Sequence, residues 1–236
     1  MGTSRLQRLK MLMNTNFSVI IRSRNEERWI GHAIQSVIEN LPNNEIIIVD
    51  NNSTDKSLSI ASSFKRDPDY NDKDSNYTDI KILNIDDYTP GKALNLGVEN
   101  STFEYICILS SHCLIKKIEI DEIISNLNQF SGIFGNQVPI YEGKKIQKRY
   151  LWSHFKDSKE VNMFSEMENR HFFHNAISFF KKETLINKPF NEALVGKEDR
   201  YWARDIIESG GKTLYLPSIE VDHHYTANGN TWKGIG

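Results

Sequence analysis

The 236-residue sequence predicts an α/β fold in which a doubly wound, mostly parallel sheet is followed by a mixed second half. Three observations predict it. Short β-branched runs, FSVIIRS (17–23), EIIIVD (45–50), IKILNI (80–85) and EYICIL (104–109), have the near-continuous apolar character of strands covered on both faces. Stretches between them repeat their apolar residues at helical spacing, and alternating strands and helices make a parallel sheet. The fourth run stops abruptly in SSHC (110–113), and in open α/β sheets ligands bind just outside such strand ends.

The elements follow in order. MGTSRLQRLKMLMNTN (1–16) carries Arg5, Arg8 and Lys10 but no apolar signal-peptide core, and reads as a flexible arm. After the first strand, EERWIGHAIQSVIEN (26–40) places Trp29, Ile30, Ala33, Ile34, Val37 and Ile38 on one helical face, which completes a βαβ unit with EIIIVD. Ser53 or Thr54 is expected to cap a helix over 54–66, and KRDPDYNDKDSNYTD (65–79) is a polar surface connector. GKALNLGVEN (91–100) is a short helix after Pro90. The second half reads as a helix near 117–129, a strand GIFGNQVPI (132–140), and a long polar and aromatic stretch with Trp152, Phe155 and Phe164. HNAISFFKKE (174–183) enters a further strand. GKEDRYWARDIIESGG (196–211) is a helix with acids at its start and Gly210 and Gly211 as its stop, and KTLYLPSIEVDHHYT (212–226) is a closing pair of strands. With no repeat and no clean linker, residues 17–236 form one domain.

Composition narrows the partners. Lys plus Arg (29) nearly balances Asp plus Glu (31), so charge gives no case for nucleic acid. The cysteines, Cys107 and Cys113, form no disulfide framework or CxxC pair, which fits a reducing cytoplasm. No window approaches the roughly 18 apolar residues of a membrane span, so any membrane contact is peripheral, with the basic arm contributing weakly.

VIIRSRNEERWIGHAIQSV, EIIIVDNNSTDKS, GKALNLG and the acid pair of GKEDRYWAR, in that order and spacing, resemble the family 2 glycosyltransferases of GT-A fold over about residues 17–225. RSRNEERWI, PFNEALVGKEDRYWAR and VDHH are similar to the bacterial enzymes that build surface polysaccharides. The resemblance implies a nucleotide-sugar donor, a saccharide or lipid-linked saccharide acceptor, and action in the cytoplasm or at the inner face of the membrane. It divides the domain into a nucleotide-binding half (17–115) and an acceptor-binding half (116–236).

The residues fit that chemistry. Asp50, ending the second strand, is placed to accept from a pyrimidine N–H or a ribose hydroxyl, and Arg22, Arg24 and Asn25 follow the first strand as base or phosphate contacts. Glu26 joins them. Asn52, Ser53 and Asp55 shape the turn after Asp50; Asp55 is also explained as an ordinary acid in a first helical turn. Lys92 opens a helix from which its ammonium reaches a uracil carbonyl or the diphosphate, with Gly91 allowing close backbone approach; a solvated surface lysine is the alternative. The resemblance assigns Asp199 as the general base of an inverting transfer, beside Glu198, and Asn175 to the donor-sugar pocket. The helix start would hold Asp199 acidic unless burial or Glu198 offsets it. Trp202 is read as core rather than a sugar-stacking ring, and His171 and His174 as packing or acceptor-pocket residues.

One departure stands out. The family's fourth strand normally ends in Asp-x-Asp, whose carboxylates hold a divalent metal against the donor diphosphate; here Ser110, Ser111 and His112 occupy those places. Three readings of His112 follow. In one, His112 and the late His223 bind an ion that tolerates imidazole, with Mn²⁺ favoured over Mg²⁺. In a second, no metal is used, and His112, Lys92 and Arg24 hydrogen-bond the departing phosphate. The lost carboxylates also admit a catalytically silent nucleotide-sugar binding protein, against which the retained Asp199 argues. A third reading leaves His112 as a structural strand end.

Overall fold

The computed structural model describes residues 15–41, 43–65, 78–146 and 155–227. Most of the N-terminal arm, most of the polar connector and Trp152 lie outside the described residues.

The first half follows the predicted alternation. Strand β1 (Phe17–Ser23) leads through helix α1 (Ile30–Asn40) to β2 (Asn44–Asp50), and α2 (Ser57–Ser62) precedes β3 (Asp79–Asn84). Helix α3 (Pro90–Glu99) then leads to β4 (Tyr105–Ser110). β1 pairs in parallel with β2 and β4, and β2 with β3. The strand order therefore reverses at β1, with β2 and β3 on one side and β4 on the other, and the carboxyl ends Ser23, Asp50 and Ser110 line one edge of the crevice where open sheets bind ligands.

The second half contains β5 (Cys113–Lys117), α4 (Ile120–Asn126), β6 (Gly132–Tyr141), β7 (Lys144–Lys145), β8 (Glu160–Val161), β9 (Phe164–Ser165) and β10 (Arg170–His171). It closes with β11 (Ile177–Lys181), α5 (Lys182–Asn187), α6 (Glu198–Glu208) and β12 (Thr213–His224). The large sheet runs β3-β2-β1-β4-β11-β6-β12-β5, with β7 on β6 and β8 on β12, while β9 and β10 form a separate ribbon. β11 is antiparallel to β4 and β6, and β12 is parallel to β6 and antiparallel to β5, so the sheet as a whole is mixed.

Strand alternation sends residues to two cores. Val19, Ile21, Ile46, Ile48, Cys107 and Leu109 pack under Ile30, Ala33, Ile34 and Val37 of α1. Ile20, Ile47, Val49, Ile106 and Ile108 face Ala93, Leu94 and Val98 of α3 and Trp202, Ala203 and Ile206 of α6. Covering both faces is what makes these strands read as unbroken apolar runs.

Several expectations are corrected. Ser53 and Thr54 do not cap a helix: Ser53 bonds Asp50 and the Asn25 N–H, while Asp55 Oδ1 accepts from Ser57 N, and α2 starts later than expected. The closing pair of strands is one strand, β12, whose pairing with β6 shifts between Leu216 and Glu220, around Pro217, which has no N–H for the ladder. β5 and α5 were not expected from the sequence. Gly210 (φ 88°) does end α6, in the left-handed conformation that glycine adopts freely.

Gly91 allows close approach, but of the protein's own chain. A Cβ there would lie 2.5 Å from the Asn191 carbonyl oxygen. Nearby, Asn95 donates to the Phe190 carbonyl (2.9 Å) and accepts from its N–H (3.0 Å), and Thr89 donates to the Glu192 carbonyl (2.8 Å). The loop that leads to α6 is thus fastened to the start of α3.

At the opposite end of the strands, Glu45 is 2% exposed. Burial pushes its pKa up, but hydrogen bonds from Lys81, Ser18 and Thr102 outweigh this and hold it below the usual carboxylate range. Its contribution to stability is therefore present above the unfolded-state pKa and is lost as pH falls through the lower folded-state value. Glu45→Gln is expected to destabilise the fold by about 2–4 kcal/mol, measured by urea denaturation, because buried donors lose a charged acceptor.

Candidate active site

The loops after β1 and β2 are laced together. Asn25, with φ 54°, accepts from Thr54 N through its side chain (2.8 Å), its N–H reaches Ser53 Oγ (2.9 Å), and Glu26 N–H reaches Ser57 Oγ (2.7 Å). Glu27 N–H donates to Asp55 Oδ2 (2.9 Å). Asp50 is fully buried and accepts from Ser53 N (2.8 Å) and Ser53 Oγ (2.6 Å), so this carboxylate shapes the turn as well as ending the strand. Asn52 adopts φ 51° and donates to the Ile85 carbonyl at 3.4 Å. Arg24 lies exposed at the rim. Lys92, at the start of α3, is ion-paired with Asp87.

The acid pair at the start of α6 divides its tasks. Glu198 is buried and meets the Arg22 guanidinium at 2.8 Å, so Arg22, expected among the base or phosphate contacts, is engaged by a carboxylate. Burial disfavours the Arg22 charge, but Glu198, Tyr88 and Asp199 outweigh it and raise the pKa. Asp199 is left without an ion pair among the described residues; it accepts from Arg200 N (2.8 Å) and Asn175 N (3.3 Å). Burial, then the adjacent Glu198 charge, push its pKa up to about 6 against the pull of Arg200 and Arg22. The offset to the helix start is therefore present, and the carboxylate has the proton affinity of a general base working near neutral pH.

Asn175 sits beside it, 4% exposed. Its Oδ1 accepts from Ser178 Oγ (2.8 Å), its carbonyl accepts from Ser110 Oγ (3.2 Å), and its Nδ2 is buried with no hydrogen-bond partner. A buried unmet donor next to Asp199 is suited to a ligand oxygen.

Ser111 and His112 make the two-residue turn from β4 to β5. His112 and His223 come together across it: their Nε2 atoms are 3.0 Å apart and their rings stack with centroids 4.9 Å apart. His112 Nδ1 faces Glu26 Oε1 (3.2 Å), and His223 Nδ1 faces Gln137 Oε1 (2.7 Å). If each Nδ1 carries its proton toward its oxygen partner, two Nε2 lone pairs oppose each other at 3.0 Å. That contact is repulsive unless a proton or a cation lies between them. Burial, then His112, push the His223 pKa far down, which keeps this imidazole in the neutral form that metals bind. Among the described residues no group of three or more His, Cys, Asp or Glu side chains is arranged to hold an ion. The donor set thus fits an ion that accepts two imidazoles and takes its remaining ligands from elsewhere.

His174 is a packing residue: its Nε2 meets the Gly135 carbonyl (2.9 Å) and burial lowers its pKa to about 3. Trp202 is buried among Phe173, Phe180 and Phe190, with its indole N–H on the Lys188 carbonyl (2.8 Å). Sequence reasoning missed Gln137 and the Arg22–Glu198 pair. Both arise from contacts between distant segments, for which the chain carries no local signal.

Comparison with known proteins places this geometry. The profile described as glycosyl transferase family 2 matches residues 18–187. The chain is 25% identical over 206 residues to a GalNAc(5)-diNAcBac-PP-undecaprenol beta-1,3-glucosyltransferase of Campylobacter jejuni, covering 84% of this chain and 61% of that protein. It is 25% identical over 200 residues to the minor teichoic acid biosynthesis protein GgaA of Bacillus subtilis, covering 81% of this chain and 43% of that one. It thus spans only part of the length of these curated relatives. Among solved structures, S. aureus TarS 1-349 in complex with UDP-GlcNAc shares the fold with a TM-score of 0.66 at 17% identity, over 94% of this chain and 62% of that one. GalNAc-T7 with UDP, GalNAc and Mn²⁺ does so with a TM-score of 0.66 at 16% identity, over 91% and 44%.

Proposed function

Because the chain belongs to glycosyl transferase family 2, we propose that it transfers a sugar, with inversion, from a uridine diphosphate sugar to a saccharide of a bacterial surface glycan. The observation that carries the reading is Asp199: a carboxylate with its pKa raised to about 6, beside the unmet Asn175 amide, at the carboxyl end of the sheet. In this reading Asp199 takes the proton from the acceptor hydroxyl as that oxygen attacks the anomeric carbon from the face opposite the diphosphate. Arg22 engages Glu198 in an ion pair and holds it in place, so Asp199 of the pair serves as base. Asn175 Nδ2 donates to a donor-sugar hydroxyl. Asp50 accepts from the uracil N–H or a ribose hydroxyl, while Arg24, Asn25 and Asn52 flank it.

His112 and His223 would hold a divalent ion, with Mn²⁺ preferred to Mg²⁺ because both ligands are imidazole. Such an ion supplies charge neutralisation for the diphosphate leaving group. Glu26 and Gln137 orient the two rings through their Nδ1 atoms. Lys92, once released from Asp87, adds a cation on the same side.

The relatives named for teichoic acid and undecaprenol-linked glycans support an acceptor of that kind. No helix among the described residues is long and apolar enough to cross a membrane. Because one sheet joins both halves, residues 17–236 act as a single catalytic unit in this reading.

The test is thermal melting with UDP, dTDP, GDP and CMP, each with Mn²⁺. UDP is expected to raise the melting temperature, since binding the folded state alone stabilises it by about 2.7 kcal/mol at a hundredfold excess over Kd. Asp50→Ala is expected to weaken UDP about tenfold or more, the scale of losing a charged hydrogen bond. No shift with any of the four nucleotides would rule out the donor site.

A further inference from the structure

We propose that Arg170 and Arg200 form a binding site for an oxyanion carried by the acceptor, close to the hydroxyl that Asp199 deprotonates. The inference rests on the base role proposed for Asp199 and names the acceptor chemistry that role would serve.

The two arginines come from different elements. Arg200 is the third residue of α6, directly after Asp199, and Arg170 lies on β10, which packs against that helix. Arg170 is held rigidly. Its Nη1 donates to the His171 carbonyl (3.1 Å), its guanidinium lies over the Phe172 ring at 5.1 Å, and it is ion-paired with Glu168. Its Nε is nevertheless buried with no hydrogen-bond partner. The half-buried Arg200 guanidinium makes no hydrogen bond or ion pair with any described residue.

These two charges feel each other. After burial, Arg200 is the largest influence lowering the Arg170 pKa, and Asp199 is among those raising it. The Arg22 charge is favoured by Glu198, Tyr88 and Asp199. Asp199 is therefore influenced both by a guanidinium already paired with Glu198 and by the two like charges of Arg170 and Arg200.

Holding two guanidinium groups together in a partly buried place is costly, and a buried charged donor without an acceptor adds to the cost. An oxyanion removes both penalties at once. The planar fork of arginine matches the paired oxygens of a phosphate or a carboxylate. When Asp199 takes up a proton and loses its charge, Arg200 loses a neighbouring counter-charge, and an anion on the acceptor replaces it. Neutral sugars would leave the pair unmatched.

The experiment is calorimetric titration of the full chain with a glycerol phosphate pentamer, trigalacturonate and neutral maltotriose, with UDP titrated separately. One of the anionic probes is expected to bind at least about tenfold more tightly than maltotriose, and which one does so tells phosphodiester from carboxylate. Arg200→Gln and Arg170→Gln are each expected to weaken that probe about tenfold or more, the scale of truncating one side of a charged hydrogen-bonded pair. Arg200→Lys should retain part of the affinity. UDP affinity should stay within about twofold in every variant, which also shows that the variants fold. Anionic probes that bind no better than maltotriose, or whose binding survives both glutamine substitutions, overturn the proposal. Failure of UDP to bind while the anionic probe still requires both arginines counts against the donor reading and for the anion site, so the two stand or fall separately.

Discussion

Asp199→Asn is expected to lower turnover by about two to four orders of magnitude while leaving UDP affinity unchanged, because the amide keeps the shape of the site and removes the proton acceptor. The same substitution is expected to stabilise the fold. Asp199 holds protons more tightly folded than unfolded, so between its ordinary value of 3.8 and about 6 the folded state loses stability as pH rises, and above that the full cost is in place. The rise corresponds to at most about 3 kcal/mol, and partial solvent contact reduces it to about 1–2 kcal/mol. Steady-state kinetics and urea denaturation of the one variant thus read opposite signs. Turnover per KM of the unmodified chain should fall as pH drops through about 6, where the base becomes protonated. Near-normal turnover in Asp199→Asn would remove the base assignment.

Chelation is expected to abolish most of the activity, and Mn²⁺ to restore it better than Mg²⁺. His112→Ala and His223→Ala should each lower turnover by about two orders of magnitude, with metal affinity falling in parallel. His112→Asp puts back a hard oxygen and should move the preference toward Mg²⁺. The readout is initial rate against added ion for each variant. Undiminished turnover of His112→Ala in chelator would leave the pair of histidines as a structural contact at the β4–β5 turn.

The parts of the fold most legible in the chain are those whose signal is local. The β-branched runs that became β1 to β4 had both faces covered, so their apolar character was continuous, and α1 and α6 carried amphipathic spacing with a clear stop at Gly210. β5 was hidden because it follows β4 after only Ser111 and His112, so two strands read as one run with a polar interruption. The irregularity in β12 hid a single strand behind Pro217. At the site, the meeting of His112 with His223 was legible only through family resemblance, since 111 residues separate them. The engagement of Arg22 by Glu198 had no sequence signal. A charged residue at a strand end looks the same whether it faces a phosphate or a carboxylate from a remote helix.

The path of β5 bears on recombination between related chains. It leaves β4 by a two-residue turn, yet hydrogen-bonds to β12, with Cys113 opposite His223 and the His112 carbonyl accepting from His224 N at 2.9 Å. A chimera joined at residue 115, between the nominal halves, would cut through this strand and supply its two parts from different parents. Each parent would then contribute one histidine of the pair, on strands that had never been selected to lie side by side. Functional crossovers should instead fall where no strand is cut, such as the 142–143 turn between β6 and β7, so that a graft carries the β4–β5 turn and its partners as far as Gln137 from one source, and the other source must supply strands, His223 of β12 among them, that match its β4, β5 and β6.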